Sequence, residues 1–431
     1  MSGDPRTSSA LEELRRSGSV AALRERARRR RARQPLLVTN THVHLPPNFS
    51  AFRTVTEALD LAAADGVGVL GASNYYDYTV YGELARGARE RGIFPLFGIE
   101  VIAMDEELQR AGVLVNDPGN PGKFYLCGKG IVAFEAMRPA AERLITRIRR
   151  GDGERIRAMI ARIADRFTKG GVPLPVAEAS VVDGIVRRHG SPRSTVFLQE
   201  RHVAQAFQEA LFEALPAAER PAALARACGE VSASVDPDDP VAVQGELRSR
   251  LMKAGKPAYI EEDFVTFEEA RRLVLELGGI PSYPTLADGT EPLCGFEQPI
   301  ERLLENVLAR DLHAAELIPV RNRPELLREY VTAMRRAGLI VTAGTEHNTL
   351  DRLPLAPTCR GGVAIPADVD EIFREGACVV AAHQFLRAHG EEGFVDAAGR
   401  PHAGYREGEA RIAAFAELGA AVIETYREGE R

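Results

Sequence analysis

With 431 residues, 45% hydrophobic and 27% charged, the chain has the composition of a soluble globular protein that buries one large core or two to three smaller ones. No apolar run approaches the ~20 residues of a membrane helix, and the N-terminus lacks the apolar core of a signal peptide, so a cytoplasmic protein is expected. Five cysteines without paired spacing speak against a disulfide framework and fit a reducing compartment.

The net charge of −6 is unevenly spread. Residues 1–34 hold ten arginines against four acidic residues, a local +6 that leaves −12 on the remainder. The run Arg28 to Arg31, flanked by Arg24, Arg26 and Arg33, reads as a basic helical arm folded over the acidic body. No aromatic residue interleaves with it, and the body is acidic, which weighs against nucleic acid as a partner.

The first strand is the short apolar run Leu36-Leu37-Val38, leading into Asn40-Thr41-His42-Val43-His44. Two histidines one residue apart on a strand point the same way, and two imidazoles on one side of a backbone are half of a transition-metal site. Thr54-Val55-Thr56-Glu57 is a capping box that starts a helix to about Ala64, stopped by Gly66. A strand over 67–70 ends at Ser73-Asn74-Tyr75-Tyr76-Asp77. A helix over 81–91 and a strand over 94–99, with Glu100 at its end, complete a β-α-β-α-β alternation, which predicts a parallel sheet with helices outside. A fourth strand covers 124–127.

Between about 137 and 256 the strand signal fades. Ile156, Ile160, Ile163 and Phe167 form the stripe of an amphipathic helix, and further helices follow at 200–214, 217–229 and 241–254. This reads as a helical insertion. The alternation resumes with a second capping box at Thr266-Phe267-Glu268-Glu269, then strands over 280–284, 314–318 and 339–343. The last of these ends in Gly344-Thr345-Glu346-His347-Asn348. The domain reading is therefore an arm over 1–34, a barrel over 35–350 carrying the insertion, and a mainly helical extension over 351–431. The fold class is α/β, a distorted parallel barrel of about seven strands.

Functional residues of parallel sheets collect at the carboxyl ends of strands. His42, His44, Asn74, Glu100 and Glu346 occupy such ends on four strands, and two imidazoles with two carboxylates make a four-ligand shell for Zn, Mn or Fe. An open coordination position then acidifies water or polarises a carbonyl.

On these motifs the chain resembles the PHP (polymerase and histidinol phosphatase) family of metal-dependent phosphoesterases, across roughly residues 36–350. Thr41-His42-Val43-His44 matches the family's first motif, and Gly98-Ile99-Glu100 matches its Gly-Ile-Glu. The insertion is similar to that of the nucleotide-phosphatase branch, with Arg201-His202-Val203-Ala204 in place of Arg-Pro-His-Ile-Ala and Gly255-Lys256-Pro257-Ala258-Tyr259 continuing the match. Other motifs depart. Ser73-Asn74-Tyr75 stands for Thr-Asp-His, Tyr125 for a histidine, Ser282-Tyr283-Pro284 for Ala-His-Pro, and Glu346-His347-Asn348 for Asp-Ala-His.

The resemblance implies that the ligands of one of the family's three metals persist as His42, His44, Glu100 and Glu346. Those of the other two are replaced at Tyr75, Tyr125, Tyr283 and Asn348. A neutral phenol with a pKa near ~10 is a poor ligand, so one divalent ion is expected. The expected activity is that of a metal-dependent hydrolase with metal-bound water as nucleophile and His347, Tyr75 or Tyr283 moving the proton. Asn74, Tyr125, Arg201, His202 and Asn348 are expected to contact a small-molecule substrate, phosphorylated or sugar-like. A single-metal isomerase or lyase acting on a sugar or sugar acid, and a non-catalytic binding protein of this fold, are the alternatives. A homo-oligomer stays open.

Overall fold

The computed structural model describes residues 9–29, 37–229 and 235–429. The histidine motif lies on β1 (Val38–Val43) and just past it; Leu36 of the expected strand lies outside the described residues. The other strands are β2 (Val67–Ala72), β3 (Phe94–Met104), β4 (Lys123–Lys129), β5 (Val265–Thr266), β6 (Ile280–Thr285), β7 (Ala314–Leu317) and β8 (Ile340–Ala343). They are ordered β1-β2-β3-β4-β6-β7-β8, with the short β5 paired to β3 off this path. A parallel bridge between Val43 and Glu346 links β1 to the segment after β8, so seven strands curl into a nearly closed barrel.

The sheet is not parallel throughout. β4 runs antiparallel to both β3 and β6. The cause is local: β3 continues for 11 residues, past the expected end at residue 99, and the chain returns through Asn116-Asp117-Pro118-Gly119-Asn120-Pro121-Gly122. An antiparallel return needs only a loop, whereas a parallel one needs a long crossover. Glu100 consequently sits in mid-strand, paired with Cys127, and not at a strand end.

The basic arm forms α1 (Ala10–Arg15) and α2 (Val20–Arg29). It lies over acidic groups, with Arg24 on Glu391 and Arg26 on Glu428, both at 2.7 Å. Arg30, Arg31 and Arg33 of the arginine run are outside the described residues. Crossovers α3 (Val55–Ala64) and α4 (Tyr81–Glu90) follow, then the short α5 (Glu106–Arg110). Thr54 caps α3 by accepting from the Glu57 N–H at 3.0 Å.

The insertion comprises α6 (Pro139–Lys169), α7 (Glu178–His189), α8 (Glu200–Ala214), α9 (Arg220–Cys228) and α10 (Pro240–Leu247). Its stripe residues Ile156, Ile160, Ile163 and Phe167 are buried against Phe207, Leu211 and Leu224, a core distinct from that of the barrel. Fully burying each such side chain stabilises by about 1.5–3 kcal/mol. Buried ion pairs tie insertion to barrel: Lys123 of β4 meets Glu262 at 3.0 Å, and Arg155 of α6 meets the same carboxylate at 3.0 Å.

Three outer helices, α11 (Phe267–Glu276), α12 (Ile300–Leu308) and α13 (Pro324–Arg336), complete the barrel. The C-terminal extension is α14 (Ala367–Ala388) and α15 (Gly408–Glu428). Their close crossing depends on Gly419, where a Cβ would overlap the Cys378 carbonyl. His383 on α14 is a structural histidine: Nε2 meets the Gly278 carbonyl at 2.9 Å, Nδ1 accepts from the Phe394 N–H, and burial pushes its pKa down to about 3. Among the described residues no helix is long and apolar enough to cross a membrane.

Candidate metal centre

Strand alternation fixes which side chains face the barrel interior. On β3 and β4 the pairs Gly98–Lys129, Glu100–Cys127 and Ile102–Tyr125 share one face, and Cys127 Sγ lies 4.0 Å from His42 Nδ1. His42 and His44 therefore meet Glu100 inside. His42 Nε2 is 3.3 Å from His44 Nε2 and 3.6 Å from Glu100 Oε2, and His44 Nε2 is 3.0 Å from Glu100 Oε2. Tetrahedral ligands bound at about 2.1 Å stand about 3.4 Å apart, so this triangle has the edge lengths of one face of a zinc-like polyhedron. The two Nε2 atoms and the carboxylate oxygen fit one divalent cation with little movement.

His42 is oriented from behind. Its Nδ1 lies 2.9 Å from Glu316 Oε1, and Lys129 Nζ is 2.5 Å from Glu316 Oε2 and 3.2 Å from the Thr41 carbonyl. A carboxylate on the far nitrogen is the usual partner of a metal-binding imidazole. Burial raises the pKa of Glu316, but Lys129 and His42 outweigh it and bring it down to about 2. Burial likewise opposes charge on His42, yet Glu316 raises its pKa to about 9 without a cation, so a metal must displace a proton there. His44 lacks such a partner: its Nδ1 is buried without a hydrogen bond, and the ring is held by stacking on Tyr75 at 5.2 Å and 7°.

Glu346 does not join the triangle. Arg321 grips both its oxygens, at 2.9 and 2.5 Å, and Asn348 Nδ2 donates to Oε2 at 2.7 Å. Its backbone nonetheless reaches the motif, because Glu346 N–H donates to the His42 carbonyl at 2.9 Å and its carbonyl accepts from His44 N–H at 2.8 Å. Burial raises the Glu346 pKa and Arg321 more than offsets it, keeping the carboxylate ionised. Glu346 and His347 both carry left-handed backbone, at φ 59° and 52°. Such backbone in non-glycine residues stores strain and clusters at functional sites.

His347, expected to move protons, has both nitrogens occupied within its own loop. Nδ1 lies 2.7 Å from Thr345 Oγ1, Nε2 lies 3.0 Å from the Leu353 carbonyl, and the ring stacks on Phe52. Tyr283, also expected at the site, is not brought there. Its neighbour Ser282 pairs with inward-facing Cys127, so Tyr283 faces outward, packed on Phe124 and Phe296 with its hydroxyl 2.8 Å from Glu297 Oε1. Asn74 holds the loop after β1 by bonding the Leu45 N–H at 2.8 Å and carbonyl at 2.9 Å. His202 accepts from the Gln199 N–H at the start of α8 and sits against Phe49.

Tyr75 and Tyr125 do reach the site. Burial, with Glu100 adding to it, raises both phenol pKa values, so both stay protonated at neutral pH. Arg201 comes in from the insertion: burial and then Arg248 lower its pKa to about 10, with Glu346 opposing them more weakly. No hydrogen bond or ion pair engages Arg201 among the described residues. Sequence reading missed Glu316 altogether, set Lys129 beside the pocket without further support, and read Arg321 as a loop arginine at the surface sooner than as an anion holder. The signal for Glu316 was present as a lone carboxylate in the apolar run Ala314-Ala315-Glu316-Leu317, since an unpaired charge is almost never fully buried.

No protein-family model matches the chain, and no curated protein does. Solved structures do. An amidohydrolase from Chromobacterium violaceum, solved with sulfate and no metal, superposes with a TM-score of 0.50 at 20% identity, over 78% of this chain and 96% of that one. A provisionally assigned metal-dependent phosphoesterase from Bifidobacterium adolescentis superposes with a TM-score of 0.51 at 16% identity, over 79% of this chain and 96% of its own. At such identities the likeness is one of fold: the chain has the barrel found in these hydrolases.

Proposed function

We propose that the protein is a metal-dependent hydrolase of a small anionic substrate, working at a single-cation site built on His42, His44 and Glu100. The observation that carries this reading is the buried triangle of two imidazole nitrogens and one carboxylate oxygen, 3.0 to 3.6 Å on a side, backed by Glu316. A divalent cation bound there supplies Lewis-acid polarisation and lowers the pKa of water. Around it the chain's own residues have separate tasks. Glu316 and Lys129 hold the His42 ring. Arg201, with no anion paired to it among the described residues, binds the negative group of the substrate. Tyr75 and Tyr125, kept neutral by burial, donate hydrogen bonds or a proton to the departing oxygen. Glu346 supplies a fourth ligand if its carboxylate leaves Arg321.

The PHP resemblance supports a phosphoester as the bond hydrolysed, and the absence of histidines at Tyr75 and Tyr125 supports one cation in place of three. The two neutral phenols also favour a second reading, a single-metal isomerase acting on a sugar. Elemental analysis of protein purified without added metal, with turnover on phosphomonoester, amide and aldose panels, separates these. About one ion per chain, lost in His42→Ala, with phosphate release, is the expected result. Aldose–ketose interconversion without hydrolysis selects the isomerase, and a chain that binds no Zn, Mn or Fe overturns both.

A further inference from the structure

A cavity edged by charged side chains lies at the other end of the barrel, where β6 begins and antiparallel β4 ends. It is open on one side, has a volume of about 300 Å³ and is lined by Leu11, Arg15, Val132, Arg138, Glu276 and Arg387, among others. A single water needs only about 10–15 Å³, so the space admits a polyatomic ligand. Three guanidinium groups face one carboxylate there.

The arginines are unevenly used. Arg15 Nε donates to the Ala388 carbonyl at 2.9 Å, the usual pairing of a cation with a helix C-terminus. Arg138 reaches Glu276 at only 3.5 Å. Arg387 has a buried Nε with no hydrogen-bond partner and no ion pair among the described residues. Its pKa is lowered by burial first and Arg138 next, while Glu392 and Asp396 act on it only from beyond ion-pair distance. A partly buried guanidinium in the field of another cation, with an unpartnered N–H and an adjoining cavity, lacks a paired anion among the described residues. Leu11 and Val132 give the cavity an apolar side, against which a charge-assisted bond is stronger than in open water.

We propose that this basal cavity binds a phosphate-bearing small anion through Arg387 and Arg138. Planar arginine forks match the several equivalent oxygens and double charge of a phosphate group better than a single carboxylate. The site is built from the arm, from the α14 end and from the β4–α6 connection, shares no lining residue with the metal centre, and stands whether or not that centre is hydrolytic.

Calorimetric titration of the full chain with inorganic phosphate, pyrophosphate and a sugar monophosphate at fixed ionic strength tests this. Arg387→Gln and Arg138→Gln are titrated in an Arg201→Gln background, which removes the anion contact proposed at the metal centre. Arg138, with a side chain 57% exposed, can be changed without disturbing the core. The expected result, in the Arg201→Gln background, is residual binding that Arg387→Gln and Arg138→Gln each weaken about tenfold or more. Preference for inorganic anions or for the sugar phosphate distinguishes a free phosphate from a metabolite as the source. No binding up to about 10 mM in the Arg201→Gln background, or binding there that neither Arg387→Gln nor Arg138→Gln weakens, overturns the proposal.

Discussion

Glu316 receives His42 Nδ1 on one oxygen at 2.9 Å and Lys129 Nζ on the other at 2.5 Å, so one fully buried carboxylate links a candidate metal ligand to a buried cation. Removing Glu316 alone leaves Lys129 buried and unpaired, which costs about 3–5 kcal/mol. The informative variant is therefore Glu316→Gln with Lys129→Met, which removes both charges together. We expect it to fold with a melting temperature near the wild type and to lose about 10- to 100-fold in affinity for Zn or Mn, measured by competition with a chelator. Unchanged affinity would mean that the carboxylate serves the barrel core and not the metal centre.

Arg321 and Glu346 form a bidentate pair beside the triangle, and a carboxylate held this way is withheld from a cation. In Arg321→Gln the Glu346 carboxylate is released to become a fourth ligand. Metal affinity should rise several-fold, while KM for an anionic substrate rises because a nearby positive charge is gone. Metal titration and steady-state kinetics on one preparation check both directions. A fall in metal affinity would show that the salt bridge positions Glu346 for the metal.

These two pairs also mark where sequence reading stopped. The barrel was legible because its signals are local: Thr54 and Thr266 cap the helices they were expected to start, and the stripe from Ile156 to Phe167 is buried in the insertion. His42 and His44 were legible for the same reason, since i and i+2 on a strand share a face. Glu316 and Arg321 carry no local signature. Their roles come from which strand lies across the barrel from β1, and only the closed sheet decides that. Tyr283 failed differently. The motif match aligned its position, but its side of β6 is fixed by pairing with antiparallel β4, which an all-parallel expectation does not contain.

The tyrosines should accordingly separate into two kinds. Tyr283→Phe removes a donor from Glu297 and should destabilise the fold by about 1–3 kcal/mol, without altering metal content or kcat. Tyr75→Phe and Tyr125→Phe should leave the melting temperature within a few degrees and lower kcat at least ~10-fold if the phenols donate to the leaving group. Thermal melts and kinetics on the three variants give the comparison. A kcat loss confined to Tyr283→Phe would reverse the assignment.

Glu297 gives the fold a pH dependence of its own. It is fully buried, and burial raises its pKa from 4.5 to about 7. Opposing that rise are the Leu286 N–H, the Tyr283 hydroxyl at 2.8 Å and the Ala287 N–H at 2.6 Å. Between pH 4.5 and about 7 the folded chain holds a proton that the unfolded chain has released. Stability from this group is therefore complete below pH 4.5, declines as pH rises through that window and levels off above it. The full span is on the order of 3 kcal/mol. Glu297→Gln cannot titrate, so wild type minus variant isolates the effect in urea unfolding at several pH values. The wild type should lose stability relative to Glu297→Gln as pH rises from about 5 to about 8. A difference that stays flat, or that grows in the wild type's favour, would mean that the three donors outweigh burial and hold Glu297 ionised throughout.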